Sequence, residues 1–175
     1  MIISVEQAKL ELDFQDWSDA KIERKLKAIE QAIRSYTHNN FQDRDCRRTA
    51  DIIGGSFYVE ALTPFEIDDT IQISGNSNKG LYTVTSVDES SFKVLEDVKD
   101  ESGVLVTKIV YPDDVVDCAF NLLGWELNNR EKVGIQSETL SRHSVTYFNM
   151  DGDNSIMGYP KSLIGALKPY MKARF

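Results

Sequence analysis

The spacing of hydrophobic residues changes twice along this chain, from helical to alternating and back. Ser4, with Gln7 three residues on, has the form of a capping box, and it predicts a short helix with Val5, Ala8 and Leu12 on one face. Phe14 and Trp17 lie in an acidic connector, after which Ser18 or Asp19 caps a second, longer helix. Its inward face is Ile22, Leu26, Ile29, Ile33 and Tyr36, at steps of four, three, four and three, with Glu23, Arg24, Lys25, Lys27 and Glu30 on the other side. Asn39 and Asn40 suit a left-handed stop, from which Phe41 folds back onto the last turn.

From about Arg47 helical periodicity gives way to short runs of β-branched and aromatic residues separated by turn formers. The predicted strands are Thr49 to Ile53, Phe57 to Ala61, Thr70 to Ser74, Leu81 to Val87, Phe92 to Leu95 and Leu105 to Tyr111. Six short strands suggest a small antiparallel barrel or sandwich, near the minimum a sheet needs to close on itself.

Helical spacing returns at Pro112, whose fixed φ suits a first helical position, followed by Asp113, Asp114 and Asp117 at the positive end of the helix dipole. The apolar residues Val115, Val116, Ala119, Phe120, Leu122, Leu123, Trp125 and Leu127 cover more than half the circumference, so this helix is expected to be buried on more than one side. The polar run Asn128 to Lys132 ends it, Gly134 allows a reversal, and Ser144 to Phe148 read as an extended arm. After a polar turn, Tyr159-Pro160 opens a last helix with Leu163, Ile164, Leu167 and Tyr170 inward, limited or kinked by Pro169.

Composition narrows what such a chain does. With 175 residues and 41% hydrophobic content it is expected to fold as one domain, or one domain carrying a smaller insert. Its net charge of −8 argues against gripping nucleic-acid phosphates. The acidity sits mostly in the middle, where residues 47–111 hold 6 basic against 11 acidic side chains, compared with 7 against 9 in residues 1–46 and 7 against 8 in 112–175. Cys46 and Cys118 are too few for a disulfide framework and lack zinc-site spacing, which fits a reducing cytosol. No run approaches a membrane span, and Met1 to Lys9 lacks the regions of a signal peptide, so a soluble, non-exported protein without a membrane partner is expected.

Each motif that hints at chemistry has a plainer reading. Gly75 to Gly80 copies the G-x-x-x-x-G spacing of a phosphate loop, but Leu81 and Tyr82 stand where Lys and Ser or Thr are needed, leaving a turn between strands. Asp151, Asp153 and Ser155 match the first ligand positions of a calcium loop, while Ile156 and Ser162 spoil the sixth and twelfth. His38 and His143 have no neighbouring Cys to make a nucleophile and base pair, and the dipole accounts for Asp113, Asp114 and Asp117. Asp88, Glu89, Glu96, Asp97, Asp100 and Glu101 read as a solvated face guarding sheet edges. No catalytic, cofactor-binding or metal-binding residues are assigned, and no enzyme is expected. The end segment Lys168, Tyr170, Lys172, Arg174 and Phe175, both basic and aromatic, suits a docking peptide as well as a frayed terminus.

Taken in order, the two N-terminal helices ending in Asn39-Asn40-Phe41, the Pro112-initiated helix, the run Gly134-Ile135-Gln136-Ser137-Glu138 leading through His143 into Ser144-Val145-Thr146-Tyr147, and Tyr159-Pro160 before Leu163 to Tyr170 form a series. It resembles the head-tail connector, or adaptor, proteins of long-tailed bacteriophages, over about residues 1–46 and 112–175. The order and spacing of the segments carry the likeness, and the β-rich middle has no counterpart. Members of that family are small helical bundles that assemble as a ring, usually of twelve copies, beneath the portal of the DNA-filled head, and they are not enzymes.

The resemblance implies a helical bundle of about four helices, residues 1–46 and 112–175, and the β-rich residues 47–111, lying between helical neighbours, read as a small antiparallel β barrel or sandwich inserted between the second and third helices, so an α+β subunit is expected. It implies a virion protein of the head-tail junction, made in the host cytoplasm, that joins portal to tail and passes DNA without binding it specifically. Ile135, Ser137, Glu138, Val145 and Tyr147 in the arm would meet neighbouring copies, and Lys168, Tyr170, Lys172, Arg174 and Phe175 would dock on the portal. The insert would form an outward knob against the capsid or a tail component. Two alternatives remain: a head-closure or tail-completion protein, since these are β-rich, and a small cytosolic protein using the β domain as a ligand-binding barrel.

Overall fold

The computed structural model describes residues 1–75, 77–129 and 154–173, and the backbone alone at 137–140 and 143–146. The chain divides into two compact units, one of residues 40–111 with Met1, the other of residues 2–39 and 112–175. Among the described residues there are four α-helices and, in the first unit, a closed six-stranded barrel, an α+β architecture.

The barrel strands are β1 Gln42–Ile53, β2 Ser56–Val59, β3 Thr70–Ser74, β4 Gly80–Val87, β5 Ser91–Val94 and β6 Glu101–Ile109, in the order β1-β2-β5-β4-β3-β6. Every pairing is antiparallel, and β6 returns to β1 to close the sheet and remove its edges. Gly54 and Gly55, at φ +57 and +79, make the two-residue β1–β2 turn, where left-handed backbone matches the strand twist. Ala50, Ile52, Phe57, Val59, Ile71, Ile73, Val84, Phe92, Val104 and Val106 fill the interior with Phe65 from the β2–β3 loop. Phe57 and Phe92 face each other across β2 and β5 with ring centroids 4.6 Å apart, and Phe65 meets Phe92 edge-on at 5.0 Å.

Two strands run beyond their predicted limits. β1 begins at Gln42, ahead of Arg47, and its polar start, which lacks alternation, is held in the strand by the ladder with β6, with a bulge between Asp43 and Arg47. Arg47 Nε donates to Thr107 Oγ1 (3.1 Å) across that pairing. β6 begins at Glu101 rather than Leu105, with Gly103 (φ +69) donating its N–H to the Asp51 carboxylate at 2.8 Å. Phe41, at φ 51, meets Tyr111 with ring centroids 5.0 Å apart and planes tilted by 48°, and its carbonyl accepts the Val110 N–H. The two ends of the barrel segment therefore meet.

In the second unit α1, Val5–Glu11, starts with the expected capping box: Gln7 N–H donates to Ser4 Oγ (3.1 Å) and Ser4 N–H to Gln7 Oε1 (2.9 Å). α2, Asp19–Thr37, is capped by Ser18, not Asp19, and ends on His38 in the left-handed region (φ 50) rather than on Asn39 or Asn40. Its buried face is Ile22, Leu26, Ile29, Ile33 and Thr37, so Thr37 replaces Tyr36, its hydroxyl satisfied by the Ile33 carbonyl at 2.8 Å. Glu30, expected on the outer side, is 4% exposed.

α3, Asp113–Asn129, begins one residue after Pro112, whose carbonyl accepts from Val115 and Val116. It buries Val115, Cys118, Ala119, Leu122, Leu123 and Glu126, and leaves Val116, Phe120 and Leu127 half-buried. β7, Ser137–Leu140, and β8, His143–Thr146, pair as a hairpin; β9, Ser155–Ile156, and β10, Tyr159–Pro160, make a second. Pro160 ends β10, so α4 opens at Lys161 and runs to Ile164 before tightening into a 3-10 helix, Gly165–Tyr170, that contains Pro169. Ile164 and Leu167 are buried as expected, while Leu163 and Tyr170 are half-buried.

Candidate functional site

The residues nominated for assembly fall in two places. Ser137, Glu138 and Val145 lie on the β7–β8 hairpin, where Ser137 pairs with Thr146 and Glu138 with Val145; Ile135 and Tyr147 lie outside the described residues. Lys168 and Tyr170 lie on the 3-10 helix and Lys172 just beyond it, while Arg174 and Phe175 lie outside the described residues. The described part of this end segment is bonded to its own unit. Tyr170 Oη donates to Asp114 Oδ1 (2.7 Å), Asn39 Nδ2 donates to the Tyr170 carbonyl (3.3 Å), and Lys172 N–H donates to the Thr37 carbonyl (2.8 Å). The hydrogen bond to Asp114, with smaller help from burial and the carboxylate's charge, raises the Tyr170 pKa above its usual value.

A junction that the sequence reading missed joins three elements of the helical unit. Glu126, 3% exposed on the core face of α3, takes Lys25 Nζ of α2 on Oε2 at 2.7 Å and the Tyr159 hydroxyl of β10 on Oε1 at 2.8 Å. Trp125 meets the Tyr159 ring edge-on at 5.3 Å. Lys25 therefore turns toward α3 instead of outward with Glu23 and Lys27. The signal was present: Glu126 follows Leu122 and Leu123 by four and three residues, so a carboxylate stands at a core-facing position and needs a cation.

The other motif residues have structural roles. The Gly75 to Gly80 turn is held from inside by Glu101, whose Oε2 accepts the N–H groups of Ser77 (3.1 Å) and Asn78 (3.2 Å) and Asn78 Nδ2 (2.8 Å). A carboxylate already occupies the amides that a phosphate would use. Asn78 closes the turn against Lys99, donating to its carbonyl and accepting its N–H. Glu96 accepts from Thr83 N–H and Asp100 from Gly54 N–H, so part of the acidic face caps backbone at the loops rather than merely facing water. Asp117 accepts from Asn121, four residues on, and Ser155 lies in β9 with Asp151 and Asp153 outside the described residues.

Cys118 Sγ donates to the Leu163 carbonyl at 3.1 Å, and burial, then Asp117 and Asp114, push its thiol up to about 11. The Cys46 thiol is also raised, by burial first and by Asp43. Burial alone would lower the Lys108 pKa, but Asp69 at 2.8 Å more than offsets that and the value is raised. Among the described residues no three His, Cys, Asp or Glu side chains gather as an ion shell, and no helix is long and apolar enough to cross a membrane.

No family model matches the sequence, and no curated protein matches it. Among solved structures the chain is similar to one from the neck of an empty GTA particle, computed with C6 symmetry, at 10% identity and a TM-score of 0.36, over 99% of this chain and 91% of that one.

Proposed function

We propose that the protein is a structural virion protein, a ring subunit that joins the phage head to the tail beneath the portal and extends the DNA channel. The reading starts from the ordered series of segments in the sequence. The observation that supports it best is the apolar surplus of α3: the helix packs one arc inside its unit and leaves Val116, Phe120 and Leu127, at helical spacing, half-buried. The acidic balance of the chain suits a passage that releases DNA better than one that holds it. In this reading residues 1–46 and 112–175 form the ring, the β7–β8 arm meets neighbouring copies, residues 168–175 dock on the portal, and the barrel is an inserted domain between the second and third helices that reaches the capsid or a tail component.

The closed barrel supports a second reading, a head-closure or tail-completion protein one position further down the connector. The third, a ligand-binding barrel, is disfavoured because Phe57, Phe92, Ile71, Ile73, Val84 and Val106, all at most 1% exposed, fill the interior. Mass measurement of the free protein, followed by electron microscopy of it mixed with portal, tests the leading reading, which expects a ring seated on the portal. Binding to tail-tube protein and none to portal would transfer the assignment to the second reading. Portal binding unchanged by deletion of residues 168–175 would remove the docking role of that segment.

A further inference from the structure

The segment after Leu167 is held differently from everything before it. Ile164 and Leu167 are core residues at 1% and 0% exposure, whereas none of residues 168–173 is buried. Residues 168–172 are tied back by hydrogen bonds that include a trio to Asp114, Asn39 and Thr37. Two of those anchors lie at the end of α2 and one in the first turn of α3. Thr37 offers a last-turn carbonyl that lacks a partner within its own helix, and Lys172 N–H supplies one. Asp114 stands beside the first amides of α3, Val115 and Val116, which bond the Pro112 carbonyl. A surface segment tied back by polar bonds, with only Tyr170 half-buried and no residue in the core, belongs to the low-stability end of a fold, where local opening precedes global unfolding.

We infer that residues 168–172 are a releasable latch that fastens the C-terminal turn of α2 and the N-terminal turn of α3, so that drawing this segment away loosens both helix ends while the core beneath stays folded. The coupling is reciprocal: whatever orders the two helix ends favours the closed latch, and whatever takes the segment frays them. The inference rests on the hydrogen bonds within this unit and not on which partner takes the segment.

Amide hydrogen exchange on the full chain, wild type against the double variant Tyr170→Phe with Asn39→Ala, tests it without any partner. Tyr170→Phe removes only the hydroxyl that reaches Asp114. The expected result is a protected Lys172 amide in the wild type. In the variant that amide exchanges at least ~10-fold faster, as do the amides of residues 34–37 and 115–117, while those of Leu26 and Leu122 are unchanged. An unprotected Lys172 amide in the wild type overturns the latch. So does a variant whose helix ends exchange as slowly as before, and so does faster exchange spreading to Leu26 and Leu122, which would make the segment part of the core.

Discussion

Glu126 shows how much one side chain can organise here. Both carboxylate oxygens are engaged, one by Lys25 and one by Tyr159, with the carboxylate 3% exposed. Removing one partner of a buried ion pair leaves the other charge uncompensated, at a cost of roughly 3–5 kcal/mol when both are fully buried. Because the Lys25 side chain is 26% exposed, Glu126→Ala is expected to cost less, about 2–4 kcal/mol, measured by urea denaturation followed through tryptophan fluorescence. Glu126→Gln, which keeps an acceptor for Tyr159, should cost less than Glu126→Ala. Cys118 makes a pH-dependent case. Unfolded, its thiol ionises at its ordinary value of 9.0, and in the fold only at about 11. Between those values the unfolded state binds fewer protons than the folded one, so the contribution is complete below pH 9 and is lost as pH rises toward 11. Wild type is expected to lose about 1–3 kcal/mol more than Cys118→Ala between pH 8.5 and 11, read from parallel urea melts.

The barrel and the helices respond to different kinds of damage. The barrel core is centred on the stacked Phe57 and Phe92, and truncating such a residue costs roughly 3–5 kcal/mol through lost burial and a residual cavity. Phe92→Ala is therefore expected to lower the barrel transition sharply. Trp17 and Trp125 both belong to the helical unit, so, if the barrel is an inserted domain that unfolds by itself, a melt followed by tryptophan emission should change far less than one followed by the circular dichroism of the sheet. The β3–β4 turn depends on a charge instead. Glu101→Ala removes the acceptor shared by the Ser77 and Asn78 amides and one of the Asn78 side-chain bonds, and about 1–3 kcal/mol of barrel stability should go with it. Asp100→Ala, which frees only the Gly54 N–H, should cost less.

For the chain as a whole, the closeness of the barrel's two ends matters most. Phe41 and Tyr111 touch and the Phe41 carbonyl bonds the Val110 N–H, so a segment that leaves at one point and returns beside it can be exchanged with little strain. If the barrel is an inserted domain, replacing residues 42–109 with a short Gly/Ser linker should leave the helical unit folded with native Trp125 emission, and residues 40–111 alone should unfold cooperatively. Failure of both to fold would reject the inserted-domain organisation.

Much of this was legible in the residues. Ser4 and Gln7, Ser18, the Ile22 to Ile33 stripe, Pro112 with its trailing acids, and the positions of six strands are local facts, decided by capping, period and turn chemistry within a few residues. So is the turn character of Gly75 to Gly80. The polar beginnings of β1 and β6 were not legible, because their pairing partners lie some sixty positions away and the strands carry no alternation of their own. Nor was the choice between barrel and sandwich, which depends on β6 returning to β1. Lys25 reads as a solvated charge until α3 brings Glu126 against it, and Tyr170 as a terminal aromatic until its hydroxyl meets Asp114. Short-range patterns settle where elements begin and which face is apolar; which polar groups satisfy one another depends on contacts that only the folded chain makes, since a buried donor takes whatever acceptor the packing presents.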